Sequence, residues 1–277
     1  MHLEMLAAAL LFACGARWYL TRDRVVGLTR WQRAILGLVL PPALVLSTAI
    51  SLAWMGPRGQ MAGIWQGWLC FGLAMSFVAY AAFWLLRLGW QAWRSRQQIR
   101  TLPERAVRGY HSRIVASAVP FAAQVGVWSP ELVLSQGLLD ELEEERLEAV
   151  LVHEQAHVHY RDTFWFFWLG WLQHLGAWLP HTKALWQELL TLRELRADAR
   201  AAKTVDRLVL AEALFQVAST PIAFQPRVAF GAEAVERLEE RVDALLSDSA
   251  SEAKWPSLHW SWLLTIALPL LAIPFHV

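Results

Sequence analysis

Residues 34 to 54, Ala34-Ile-Leu-Gly-Leu-Val-Leu-Pro-Pro-Ala-Leu-Val-Leu-Ser-Thr-Ala-Ile-Ser-Leu-Ala-Trp54, contain no charged side chain. A hydrocarbon core about 30 Å thick needs roughly 20 helical residues at about 1.5 Å each, which this run supplies. Its Pro41-Pro42 pair is tolerable as a kink in a spanning helix. Three further windows come close. Leu3 to Leu20 is interrupted by Arg17, which can snorkel from the end of the run. Met61 to Leu86 carries no charge, and Trp255 to Val277 lacks acidic residues, Lys and Arg. Trp18, Trp54, Trp84 and Trp255, near the ends of these windows, suit an interfacial aromatic belt. The expected fold class is therefore a multi-pass α-helical membrane protein with four spans.

Composition agrees. Of 277 residues, 56% are hydrophobic and 18% charged, with a mean hydropathy of +0.31, too apolar for an ordinary soluble domain. The 17 Trp, 12 Phe and formal charge of +1 exclude a disordered chain and a nucleic-acid binder that works by bulk charge. Cys14 and Cys70 each lie inside an apolar run, so no disulfide framework is expected. The stretch Leu11 to Gly15 resembles a lipoprotein cleavage site, but no positive start precedes it and lipidation is not expected.

The arginines set an orientation. Arg22, Arg24, Arg30 and Arg33 fall between the first two windows, and Arg87, Arg94, Arg96, Arg100 and Arg105 follow the third, whereas residues 56 to 60 hold only Arg58. The positive-inside rule then puts the N-terminus outside, residues 21 to 33 inside, the segment from about 90 to 254 inside, and the C-terminus outside. No large ectodomain is expected. The chain divides into a three-span region over 1–94, a cytosolic α+β domain over 95–254 and a fourth span over 255–277. In the cytosolic part, Arg113 to Val125 and Glu131 to Leu134 read as short strands joined by turns at Gly126 and Pro130. Asp140 with Glu143 suggests a capping box opening a helix from about Leu142 to Arg161. Further helices are expected over Lys183 to Lys203, Asp206 to Ala218 and Glu233 to Leu246, the last with Val235, Leu238, Val242 and Leu245 on one face.

The first of these helices contains His153-Glu154-Gln155-Ala156-His157, an H-E-x-x-H motif that composition produces by chance roughly 0.02 times. Residues four apart share a helical face, so both imidazoles can approach one zinc ion while Glu154 reaches the attacking water. The bland alternative is a helix whose histidines are merely packed or solvated. Catalytic zinc usually takes a third protein ligand. Glu194 is the leading candidate because Asp198 follows at i+4, and two like charges at that spacing need a cation over them. A zinc ion on Glu194, with Asp198 orienting a ligating imidazole, supplies one. The competing explanation is neutralisation by Arg193, Arg196 and Arg200, and Glu188 is the competing ligand. The apolar stretch 163–180 cannot cross the membrane once, because Glu194 would then lie on the far side from His153. It must dip and return, lie at the interface with Trp165, Trp168, Trp171 and Trp178, or be buried in part.

His153 to His157 with Arg161-Asp162, then Trp178-Leu179-Pro180, Arg193-Glu194-Leu-Arg-Ala-Asp198 and Arg237-Leu-Glu-Glu-Arg241-Val resemble the membrane zinc peptidases of the BlaR/MecR antirepressor type. The resemblance covers about residues 100 to 246 in motif. It implies a zincin-like gluzincin domain between spans three and four, in a bacterial cytoplasmic membrane, with Zn2+ held by His153, His157 and Glu194. Glu154 would be the catalytic glutamate and Asp198 a supporting residue. It further implies selective cleavage of a cytosolic partner such as a winged-helix repressor, with self-cleavage and a homo-oligomer left open. The family's sensors continue into an extracellular penicillin-binding domain, whereas this sequence stops at Val277, so antibiotic sensing is not implied. Two other readings stand beside it: an HtpX-like quality-control peptidase, and a signalling or scaffold protein with structural zinc. Tyr160, His111 and Arg241 are candidates for stabilising the oxyanion.

Overall fold

The computed structural model describes residues 2–22, 28–57, 64–219, 232–247, 261–271 and 273. It is mostly helical and divides into two compact units. The first is built from Met1–Gly89, Trp168–Leu189 and Trp255–Val277, the second from Trp90–Phe167 and Leu190–Lys254.

In the first unit the apolar windows become α1 (His2–Leu20), α2 (Arg30–Met55) and the long α3 (Ile64–Arg100). All three are long and apolar enough to cross a membrane. Thr29 caps α2 reciprocally with Gln32, and Pro41 and Pro42 lie inside that helix. Small residues let the helices approach closely. Ala13 of α1, Val45 of α2 and Leu179 form one buried cluster, and Ala49, Leu52 and Ala74 form another. Outward positions such as Leu11, Trp65 and Leu86 stay exposed, as lipid-facing side chains would.

Arg17 departs from expectation. It does not snorkel but is fully buried, with Nη2 only 3.1 Å from where a Cβ at Gly176 would sit. A side chain at 176 would press on the guanidinium, which would have to give by a few tenths of an ångström. The fourth window is represented by α10 (Ser261–Leu271), 11 residues containing Pro269 and packed on α2. The rest of 255–277, apart from residue 273, lies outside the described residues.

The apolar stretch 163–180 is a helix followed by a turn. α6 (Asp162–Leu175) ends before Gly176, and α7 (Thr182–Ala201) begins after His181, whose φ is +59°. In the first unit, Trp171 Nε1 donates to the Ala81 carbonyl and the Tyr80 hydroxyl to that of His174. Thr182 Oγ1 donates back to Gly176 O at 2.6 Å and closes the turn.

The second unit carries a four-stranded sheet of order β1-β2-β4-β3, formed by β1 (Glu104–Val107), β2 (Tyr110–Val115), β3 (Ala122–Val125) and β4 (Glu131–Ser135). β2 and β4 run parallel and the other pairs antiparallel. Among the described residues β3 pairs on one side only, leaving an open edge. Arg108 and Gly109, both at positive φ, make the two-residue β1–β2 hairpin turn.

The expected capping box at Asp140 is not used. Ser135 instead caps α4 (Gln136–Glu141), accepting from Leu138 N. Leu142 is extended, and α5 (Glu144–His159) starts afresh without a side-chain cap. Asp206 Oδ1 caps α8 (Arg207–Ser219), and α9 (Ala232–Leu246) follows. The core joins Leu134, Leu138, Leu151, Leu210 and Leu245, with Leu238 and Val242 of α9 packed against it.

Candidate metal centre

α5 turns Leu147, Val150, Leu151, His153, Glu154 and His157 into the protein, a spacing that keeps them on one face. The two imidazoles therefore meet edge to face one turn apart, with their Nε2 atoms 3.2 Å from each other. Glu194 approaches from α7. Its Oε1 accepts from Arg193 Nε and Nη2 at 2.9 and 2.6 Å, which leaves Oε2 facing the imidazoles, 3.4 Å from His153 Nε2 and 3.7 Å from His157 Nε2. His153, His157 and Glu194 thus offer three ligand atoms to one point.

These spacings suit a tetrahedral ion. Ligand atoms about 2.0–2.1 Å from a metal stand roughly 3.3 Å apart, close to the separations observed. A carboxylate stands on the far side of each ring. His157 Nδ1 donates to Asp162 Oδ2 at 2.7 Å, and His153 Nδ1 lies 2.8 Å from Asp198 Oδ1, an ion-pair contact rather than an aligned hydrogen bond. Protons placed at Nδ1 leave two bare Nε2 lone pairs and a carboxylate oxygen converging, an arrangement a divalent ion stabilises.

Each supporting carboxylate is held in turn by an arginine. Arg241 of α9 grips Asp198 with a fork, Nε to Oδ2 at 2.7 Å and Nη2 to Oδ1 at 2.9 Å, while Arg196 of α7 bonds Asp162. Asp162, Asp198 and Arg196 are all nearly inaccessible. Burial alone would strip charge from His153, but Asp198 and then Glu194 outweigh it and push its pKa up to about 9, against Arg241. At His157 burial is likewise outweighed, by Glu194 and Asp162, and the shift is upward. Glu194 is held well below the usual carboxylate range because Arg193 and the imidazoles overcome its burial. Asp198 is lowered against its burial by Arg241.

Several sequence candidates are sorted by this geometry. Glu188 pairs with Arg30, Nη2 to Oε2 at 2.9 Å, within the first unit. His111 is 83% exposed, 3.5 Å from Glu104. It lines a cleft of about 670 Å³ together with Arg113, Gln124, Glu131 and Gln155. Tyr160 lies under the guanidinium of Arg196, 4.1 Å from its ring centroid. Of the three oxyanion candidates, Arg241 is the one in contact with the cluster, 3.6 Å from Glu194 Oε2. Glu154 is buried, and its carboxylate has no hydrogen bond among the described residues. Its backbone carbonyl accepts from Gln124 Nε2 at 3.4 Å, which ties β3 to the motif helix.

Sequence reasoning missed Asp162 and Arg196 as supports. The signal was the acidic residue five positions after His157. Its role depends on the left-handed Arg161, φ +54°, which turns the chain back.

Residues 40–245 match the family described as BlaR1 peptidase M56. No curated protein and no solved structure matches. The family match covers well over half of the chain, which therefore belongs to that family of membrane metallopeptidases.

Proposed function

We propose that this M56-family chain is a zinc-dependent metalloendopeptidase of the bacterial cytoplasmic membrane. Its site faces the cytosol, and it cleaves a cytosolic protein such as a transcriptional repressor. The observation that carries the reading is the convergence of His153 Nε2, His157 Nε2 and Glu194 Oε2 within 3.2 to 3.7 Å of one another. In it these three residues hold the metal, and Asp198 keeps His153 oriented. Zinc in such a site supplies Lewis acidity toward water and a carbonyl.

Glu154, adjacent to the first ligand, takes the proton of the attacking water and delivers it to the leaving amine. The open edge of β3, bonded through Gln124 to the motif helix, accepts an extended segment of substrate as an added strand. The arginine distribution supports four spans with both termini outside, the last formed around α10. A housekeeping peptidase of the HtpX kind places a two-span hairpin between its motifs, and the short α6 with its turn gives that reading no support.

Replacing Glu154→Gln tests the assignment. The variant is expected to bind zinc as the wild type does and to lose cleavage of a polypeptide substrate by about 100-fold or more. Normal cleavage by a zinc-loaded Glu154→Gln protein contradicts it.

A further inference from the structure

We propose that α9 is a support of the metal centre, and that Arg241 is the positioning residue through which its docking sets metal affinity. The inference rests on the proposed zinc site and concerns what holds that site in shape.

Arg241 of α9 contacts the cluster at two points. Its fork fixes both oxygens of Asp198, and Asp198 Oδ1 faces His153 Nδ1 at 2.8 Å. Its Nη1 stands 3.6 Å from Glu194 Oε2. One guanidinium therefore sets the direction of the group behind the first imidazole and neighbours the third ligand atom. A planar fork holds a carboxylate at a defined angle, which a lysine ammonium cannot do.

The helix that delivers Arg241 is attached by an apolar stripe. Leu238, Arg241, Val242 and Leu245 recur at i, i+3, i+4 and i+7, so the stripe that enters the core carries the arginine inward with it. Leu245 is 1% exposed, and α9 packs on α8. The other supports of the site, Asp162, Asp198, Arg196 and Arg193, come from α6 and α7, the helix that holds Glu194. Arg241 alone among these supports arrives on an element separate in sequence. Loss of the Arg241 contact would take the paired cation away from Asp198, whose Oδ1 faces His153 Nδ1.

Zinc affinity of the full chain in detergent micelles, measured by competition with a chromophoric chelator, tests this. Arg241→Met is expected to weaken binding about 10- to 100-fold, and Arg241→Lys by an intermediate factor. Leu245→Ala, which truncates a side chain in the docking stripe, is expected to weaken zinc in the same direction. The double variant should be no weaker than Arg241→Met alone, because both changes act through one contact. Ile114→Val, a core truncation in β2, is the control for general loosening and should leave the affinity unchanged.

The inference is overturned if folded Arg241→Met and Arg241→Lys keep wild-type affinity, or if the effects of Leu245→Ala and Arg241→Met multiply. An Ile114→Val loss as large as that of Leu245→Ala also overturns it. Failure of the wild type itself to bind zinc rejects the underlying metal site, a distinct result.

Discussion

Two imidazole nitrogens stand 3.2 Å apart, with a carboxylate oxygen 3.4 and 3.7 Å away, and protonation at the proposed metal site would compete with metal. With its pKa near 9, His153 carries a proton at neutral pH in the metal-free protein, and an incoming divalent ion must displace it. Apparent zinc affinity should therefore climb with pH, by about tenfold per unit for each proton displaced, and level off above about pH 9. Stability of the metal-free protein runs the other way. The folded-state pKa is raised from 6.5, so the stabilisation from this group is complete below about pH 6.5 and is lost as the pH rises through about 9. Chelator competition and thermal unfolding across pH 6 to 10, taken on the same preparation, check both slopes, and a pH-independent zinc affinity contradicts the assignment.

Asp162 supplies a second residue-scale prediction. Asp162→Asn keeps an acceptor for His157 Nδ1 but removes the charge beside the nearly inaccessible Arg196. Zinc affinity should fall about 10- to 100-fold, and an unchanged dissociation constant contradicts the support role.

At the scale of elements, the exit from α5 decides whether Asp162 can reach back to His157. Tyr160 ends the helix and Arg161 adopts the left-handed conformation, φ +54°, with its carbonyl accepting from Phe164 N and Trp165 N at 3.1 Å. A residue with a Cβ is strained there by about 1 kcal/mol relative to glycine. Arg161→Gly should therefore match or exceed the wild-type melting temperature, while the β-branched Arg161→Val should lower it. The opposite order in thermal unfolding contradicts the turn described here.

Local pattern made the long elements legible. The helix over Lys183 to Lys203 became Thr182–Ala201, and the helix with Val235, Leu238, Val242 and Leu245 became Ala232–Leu246. β1 escaped because Glu104-Arg-Ala-Val107 exposes three of its four residues and has no alternating apolar face. The Asp140 box misled because Ser135, at the end of β4, already caps a shorter helix, a choice made by packing Leu138 into the core. The three ligand candidates were legible from helical spacing, whereas Asp162, Arg196 and the grip of Arg241 on Asp198 arise only where separate elements meet.

For the molecule as a whole, the sequence segregates its chemistry. Apolar stretches supply three helices able to cross a membrane, and the charged remainder supplies a unit with its own sheet and core. Arg17 shows why composition alone misjudges single residues. A charge near the end of an apolar run need not reach water, because α1 presents it to the turn at Gly176. The M56 family match over residues 40–245 and the three converging ligand atoms both point to a metallopeptidase.

The most direct test is the zinc X-ray absorption spectrum of the purified full chain. One zinc site with two imidazole nitrogens and oxygen donors at about 2.0–2.1 Å is expected. A shell of sulfur at about 2.3 Å, or protein that takes up no zinc, would contradict it.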